Sequence, residues 1–212
     1  MGLVLPRRES MEVSSGEDPL DFYYHPVAGL VYRRRLAMGL ALLGDGPVER
    51  LLEIGYGSGI LFPELARRAG ELHGIDIHDR IAPVERMLEA HGIKAALRVG
   101  DIYALPYPDG HFHAVVCLSV MEHLTDLDRA CAEVRRVMAP GGVAVLGFPV
   151  RNAATTGLFR LVGYDAREIH PSSHRDILAA ARRAFAVERV LRLPAFLPMD
   201  LGLYGACRCR RT

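Results

Sequence analysis

The stretch Leu51-Leu52-Glu53-Ile54-Gly55-Tyr56-Gly57-Ser58-Gly59 decides the fold of this chain. An apolar run leads into glycines at every second position, a pattern that indicates a buried strand, a tight turn and then a helix over about 60–69. Glycines allow the backbone to turn sharply and to approach a ligand where a Cβ would clash. The start of the helix offers unpaired N–H groups to an anionic or polar ligand. We therefore expect a ligand site where this strand ends.

The spacing of the glycines indicates which ligand this turn binds. A dinucleotide fingerprint has glycine at its first, third and sixth positions, and here the sixth position is Ile60. Glu53 stands two residues before the first glycine, where its carboxylate would suit a ligand with a cationic amino group or a sulfonium. The turn therefore disfavours a nicotinamide dinucleotide.

Further segments extend this pattern in order along the chain: Ile75-Asp76-Ile77, Gly100-Asp101-Ile102, Leu105-Pro106-Tyr107, Ser119 to Leu124, and Pro140-Gly141-Gly142. Together with the acid-x-Gly-x-Gly-x-Gly turn they resemble the class I S-adenosylmethionine (AdoMet) methyltransferases, in the branch that acts on small molecules. The resemblance covers about residues 48–150. It implies methyl transfer from AdoMet to a small-molecule acceptor by in-line displacement, with S-adenosylhomocysteine as product.

Two other functions stay open. One is a non-catalytic module that binds AdoMet or S-adenosylhomocysteine, and the other, less favoured, is a nicotinamide-dependent oxidoreductase.

The alternation of elements predicts an α/β fold. Apolar strands alternate with helices from residue 50 to residue 148, which favours a parallel sheet covered on both faces. Only residues 194–202 separate the last two strands, over 187–193 and 203–209, so we expect that pair to be antiparallel. The resemblance implies the rest: a Rossmann-like, mostly parallel seven-stranded sheet with one antiparallel strand near the C-terminus and helices on both faces.

We expect one methyltransferase domain over residues 1–212, since the chain is long enough for one sizeable core. Residues 1–20 are polar and irregular and are expected to form a loose arm. Residues 21–45 are expected to form a helical cover, and residues 151–172 a lid over the substrate. Ser172 and Ser173 are candidate caps of the helix that follows.

The resemblance also implies which residues hold the cofactor. Asp76 would accept the ribose hydroxyls, Asp101 would meet the adenine amino group and Ile102 would back the ring. The backbone near Leu118 and Ser119 would border the methionine part. The complete cofactor set is Glu53, Gly55, Tyr56, Gly57, Gly59, Asp76, Ile77, Asp101, Ile102, Leu118 and Ser119.

The acceptor side is expected to involve Tyr24, Glu122, His123, His170 and His174. His123 is the candidate catalytic base, because an imidazole titrates near neutral pH. A role in which His123 only shapes the pocket stays equally open. His170 and His174 flank a helix start, where they could serve as capping residues instead.

Charge and composition limit the partners. The formal net charge is +1, with 26 basic and 25 acidic residues, which gives no long-range attraction to nucleic acid. We interpret the basic run Arg33-Arg34-Arg35 as a solvated face. No stretch reaches the 18 or so apolar residues that a membrane span needs, and we expect no signal peptide.

The four cysteines show no spacing typical of a zinc site, and we expect no metal. Their number and spacing favour a reducing, cytoplasmic compartment. We expect Cys207 and Cys209 to point to opposite faces of their strand. A monomer and a homodimer are both consistent with the sequence.

Overall fold

A seven-stranded sheet forms the centre of the computed structural model, which describes residues 3–16, 18–152 and 170–212. The strand order is β3-β2-β1-β4-β5-β7-β6. β7 pairs antiparallel with both of its neighbours and the other pairings are parallel, which confirms the predicted sheet. The strands are β1 Val48–Ile54, β2 Ala69–Asp76, β3 Ala96–Val99, β4 Phe112–Leu118, β5 Met138–Pro149, β6 Ala186–Leu193 and β7 Tyr204–Arg210.

Helices cover both faces of this sheet. Leu36 and Phe62 belong to the apolar cluster on one face, and Val134 and Ile177 belong to the cluster on the other. In β1, Leu51 belongs to one cluster and Leu52 and Ile54 belong to the other, as expected for a central strand with two covered faces. The helices among the described residues are α1 Leu20–Tyr24, α2 Ala28–Leu43, α3 Phe62–Ala66, α4 Ile81–Ala90, α5 Leu127–Val137 and α6 His174–Ala184, with 3-10 turns at Arg8–Ser10, Met121–His123 and Met199–Leu201.

Side-chain caps begin two of the described helices, α5 at Asp126 and α6 at Ser173. Ser173 and Asp176 form a capping box at the start of α6, which confirms Ser173 as the cap. α3 is shorter than the sequence predicts, since it begins at Phe62 and ends at Ala66. The chain leaves this helix early because Ala69 already pairs with Val48 in the sheet.

The N-terminal residues pack onto the domain, whereas the sequence led us to expect a loose arm. Met11 is buried, and the backbone N–H of Val4 donates to Glu64 Oε1 at 2.7 Å. Glu12 pairs with Arg86 at 2.7 Å. The arm therefore forms part of the structure around the sheet edge. The proposed lid over 151–172 falls mostly on residues 153–169, which lie outside the described part of the chain.

The side chains of the four cysteines are free and buried. Cys207 Sγ and Cys209 Sγ lie 3.6 Å apart, so the expectation of opposite faces is wrong. Residues two apart in a strand share a face, because the side-chain period is two.

None of the helices formed by the described residues has the length and apolar character that crossing a bilayer requires.

Candidate active site

A cavity of about 370 Å³ lies at the carboxyl ends of β1, β2 and β4. Parallel α/β sheets bind ligands at this edge, because the strand ends and the turns that follow them meet there. The N-terminal arm and α2 close the cavity from above. Its wall includes Ser14, Asp18, Tyr23, Arg35, Glu53, Gly55, Tyr56, Gly57, Asp76, Ile77, Asp101, Ile102, Leu118, Ser119, His123 and Tyr204.

The glycines of the turn after β1 serve different purposes. Gly55 has φ +74°, and a Cβ there would lie 2.1 Å from a methyl group of Val120. Gly57 lines the cavity, and its N–H donates to Asp76 Oδ2 at 2.8 Å. Gly59 is not part of the wall, since its space is taken by buried side chains that a Cβ would meet at 2.9 Å. Gly55 and Gly57 therefore shape the cavity, and Gly59 allows the turn to pack.

Glu53 is a buried carboxyl group in the cavity wall. Its Oε2 has no hydrogen-bond partner among the described residues. Burial, reinforced by the nearby charge of Asp76, holds the pKa of Glu53 well above its usual range. A buried polar atom costs free energy unless it is paired. A cationic group of a ligand would supply the missing partner.

The ends of β2 and β3 present acidic and apolar groups side by side. Asp76 holds the glycine turn through Gly57, and its other oxygen, Oδ1, accepts from the N–H of His78 at 3.3 Å. The side chain of Ile77 lines the cavity and is 77% exposed. Such an exposed apolar side chain suits the face of a flat ring.

The turn after β3 brings Asp101 and Ile102 to the same wall. One oxygen of Asp101 accepts from the N–H of Tyr103 at 2.9 Å, so Asp101 also stabilises its turn. Ile102 is buried beside it.

Arg35 is a wall residue that the sequence interpretation missed. Its guanidinium lies against the rings of Tyr32 and Tyr204, 4.8 and 4.3 Å from their centroids, and donates to Ser119 Oγ. The expected solvated face is therefore wrong for Arg35. Helical periodicity could have revealed it, because Arg35, Gly39 and Leu43 stand four residues apart on one side of α2.

Ser119 occupies a left-handed backbone conformation, with φ +59°. Non-glycine residues adopt this region rarely, and such positions cluster at functional sites. Its N–H donates to the carbonyl of Gly147 at 2.8 Å, and its hydroxyl lies 3.1 Å from the hydroxyl of Tyr204. Ser119 therefore joins the end of β4 to Arg35 and to β7.

The structure brings three of the expected acceptor-side residues together. His123 lines the cavity, and its ring lies 5.1 Å from that of His170. Burial, with the nearby His123, lowers the pKa of His170 to about 4. Burial raises the pKa of Glu122 to about 8.

Tyr24 and His174 lie outside this group. The hydroxyl of Tyr24 donates to the carbonyl of Pro6 at 2.7 Å, which ties the arm to α1. His174 is buried at the start of α6, with its Nε2 2.8 Å from Asp200 Oδ1. Neither residue contributes to the cavity wall.

Comparison with known proteins agrees with this architecture. Residues 52–146 match the family model described as "Methyltransferase domain". The demethylmenaquinone methyltransferase of Thermus thermophilus is 37% identical over 135 residues, which cover 62% of this chain and 60% of that protein. The chain spans between 52% and 66% of the length of the first four curated relatives that it matches.

Solved structures show the same fold at lower sequence identity. A geranyl diphosphate methyltransferase in complex with SAM matches with a TM-score of 0.71 at 18% identity, over 100% of this chain and 97% of that one. The (4+2) cyclase SpnF matches with a TM-score of 0.67 at 20% identity, over 84% of this chain and 80% of that one.

Proposed function

Because the chain contains a class I methyltransferase domain, we propose that it transfers a methyl group from AdoMet to a small-molecule acceptor. The main support for this proposal is the order in which charged and apolar side chains follow one another along the cavity wall. Acidic and apolar groups for a nucleoside stand at one end, and a buried acid and an arginine for a zwitterion stand at the other.

At the nucleoside end, Asp76 accepts the ribose hydroxyls as charge-assisted hydrogen bonds. Ile77 and Ile102 would offer apolar contact to the adenine ring, and Asp101 would accept from its amino group. The exposure of Ile77 supports this arrangement, because the ring would cover an apolar side chain that now meets solvent.

At the other end, opposite charges match the amino acid part of AdoMet. Glu53 meets the cationic amino group, and Arg35 meets the carboxylate. The orphaned oxygen of Glu53 supports the first contact, and the position of Arg35 in the wall supports the second. A ligand carrying both charges neutralises both side chains at once.

Methyl transfer from a sulfonium needs little chemistry from the protein, because the donor is already activated. The protein positions the acceptor in line with the S–CH₃ bond and keeps water away. His123 lines the cavity beyond the end of β4 and takes the proton of an acceptor that must lose one.

The acceptor belongs to the class of small molecules. Several relatives are named as quinone methyltransferases, and the near-neutral net charge disfavours nucleic acid. The free, buried cysteines favour a reducing compartment such as the cytoplasm.

A binding module without methyl transfer remains the second candidate. The fold alone does not separate the two candidates, because one fold can host different functions.

Calorimetric titration with S-adenosylhomocysteine tests the proposal, with NADH as the control ligand. We expect micromolar binding of the first and none of the second. Gly57→Arg should abolish that binding, because its side chain would occupy the cavity from a residue with φ +51°.

Absence of S-adenosylhomocysteine binding by the folded wild-type protein would overturn the cofactor assignment, and NADH binding would favour an oxidoreductase. Binding of AdoMet with no transfer of its labelled methyl group to any acceptor in a small-molecule panel would favour the non-catalytic module.

A further inference from the structure

Glu122, His123 and His170 form a cluster beside the cavity. Each offers one potential ligand atom, and these atoms all lie within 4.8 Å of one another. The first two belong to the 3-10 turn after β4, whereas His170 comes 47 residues later in the chain. The N–H of Ser172 donates to the carbonyl of Glu122 at 3.2 Å, which ties the two segments together.

The carboxylate of Glu122 gives an independent reason to expect a ligand. The residue is only 2% exposed, and its Oε2 has no hydrogen-bond partner among the described residues. Buried polar atoms in folded proteins are nearly always paired, and an exception calls for an unseen partner. A cation held against the two imidazoles would satisfy this oxygen.

We propose that Glu122, His123 and His170 bind one divalent transition-metal ion at the acceptor end of the cavity. Two imidazoles and a carboxylate are a ligand set that Zn²⁺ and its neighbours accept, with further positions open to substrate. Metal–ligand bonds of about 2.0–2.2 Å require the three ligand atoms to lie about 3.5 Å from one another. The atoms must therefore move closer than their present separations of up to 4.8 Å. His123 is the exposed member of the three residues.

This inference rests on the proposed function and narrows its acceptor. The metal would coordinate a hydroxyl oxygen of the acceptor and lower its pKa, so that the proton leaves to water. The oxyanion then attacks the methyl carbon: the O–CH₃ bond forms, the S–CH₃ bond breaks, and the sulfonium becomes a neutral thioether. Because His123 would then be a ligand, the metal replaces it as the group that activates the acceptor.

The surrounding charges favour an anionic oxygen in the open positions. Arg151 Nη1 donates to the carbonyl of His170 at 2.8 Å, and Arg35 lies close enough to affect both Glu122 and His170 electrostatically. The metal therefore selects acceptors with an ionisable hydroxyl group.

Titration of the metal-free, full-length protein with Zn²⁺ alone tests the site, with Co²⁺ absorption in the visible range as a second measurement. His123→Ala and Glu122→Gln remove ligands, and His170→Ala removes the third. His113→Ala is the matched control, because this partly exposed histidine stands at the opposite end of β4. Circular dichroism checks the fold, and S-adenosylhomocysteine titration of each variant checks the cofactor pocket.

We expect one equivalent of Zn²⁺ per chain in the wild type. Each ligand variant should weaken Zn²⁺ binding more than about tenfold, because even the loss of a residue that only hydrogen-bonds to a metal ligand costs about that much. His113→Ala should bind both Zn²⁺ and S-adenosylhomocysteine like the wild type.

Failure of the metal site and failure of the proposed function would look different. No Zn²⁺ binding, or equal binding by His123→Ala and His113→Ala, overturns the metal site even when S-adenosylhomocysteine binds normally. Zn²⁺ binding that depends on the three ligands, in a protein that does not bind S-adenosylhomocysteine, supports the metal site and overturns the proposed cofactor.

Discussion

The nucleoside end of the cavity takes Asp76 and Asp101 from the ends of two neighbouring parallel strands, β2 and β3. The opposite end takes Arg35 from a helix that precedes the sheet and Tyr204 from the last strand, and both side chains meet at Ser119. The nucleoside end forms because parallel strands stop at the same edge of the sheet. The opposite end forms only when the N-terminal and C-terminal parts of the chain have packed together.

This difference determines what a local sequence pattern can reveal. An acidic residue directly after a strand can be recognised from the sequence, because the strand and the turn lie next to it. An arginine within a basic run gives no such signal, because its partners Ser119 and Tyr204 lie more than 80 residues away. Substitutions at the two ends should therefore affect different parts of the same ligand.

The largest effect is expected at the nucleoside end. Asp76→Ala removes the ribose acceptor and the partner of the Gly57 N–H, so S-adenosylhomocysteine should bind about 100-fold more weakly. Calorimetry measures this change. Asp79→Ala is the control, because Asp79 is an exposed acid of the same loop that lies outside the cavity wall. An equal effect of the two substitutions would contradict the assignment of Asp76.

A large effect on stability, with no effect on ligand affinity, is expected at Gly59, whose Cα faces buried side chains. Gly59→Ala places a Cβ 2.9 Å from three buried side chains at φ +79°, and should lower the free energy of unfolding by about 2 kcal/mol. Gly92→Ala has a similar φ but open space around it, so it should cost about 1 kcal/mol. Urea denaturation compares the two. Equal losses would mean that packing at Gly59 contributes nothing.

An intermediate effect is expected at the opposite end. Arg35→Ala should weaken S-adenosylhomocysteine binding about tenfold, through loss of one charge-assisted contact. Binding of 5′-methylthioadenosine, which lacks the amino acid carboxylate, should stay unchanged. Arg34→Ala is the control on the exposed side of α2. Equal weakening of both ligands by Arg35→Ala would show that Arg35 supports the wall and does not bind the carboxylate.

The smallest effect is a dependence of stability on pH. The pKa of Glu53 is raised in the folded state, so the folded protein binds more protons than the unfolded chain above the unfolded pKa. The contribution of Glu53 to stability is therefore complete below its unfolded pKa and is lost as pH rises through its raised folded pKa. Glu53→Gln keeps the group neutral, so its melting temperature should rise relative to that of the wild type as pH increases. Glu49→Gln, on an exposed part of β1, should show no such trend, and a constant gap for Glu53→Gln would contradict the burial argument.

Much of the fold could be predicted because its signals are local. Apolar strands, the glycine turn and the Ser173 cap all act within a few residues of chain. α2 lies within the helical cover expected over residues 21–45, and the chain leaves this helix at Gly44 with φ +91°. The short α3 could not be predicted, because its end depends on where Ala69 joins β1.

The acceptor side could be predicted only in part. The sequence singled out Glu122, His123 and His170, and the structure brings their ligand atoms within 4.8 Å. It also singled out Tyr24 and His174, which make other contacts away from the cavity. A histidine or tyrosine in a sequence shows that a group can bind or titrate, but it does not show where the chain will place it.

Local sequence patterns specify the parallel sheet, the glycine turn and the row of acids at the strand ends, because each depends on neighbours along the chain. Packing of the whole domain places Arg35 in the cavity wall, the N-terminal arm over the cavity and His170 against His123. These contacts join segments far apart in sequence, so their distances are set only when the domain has folded.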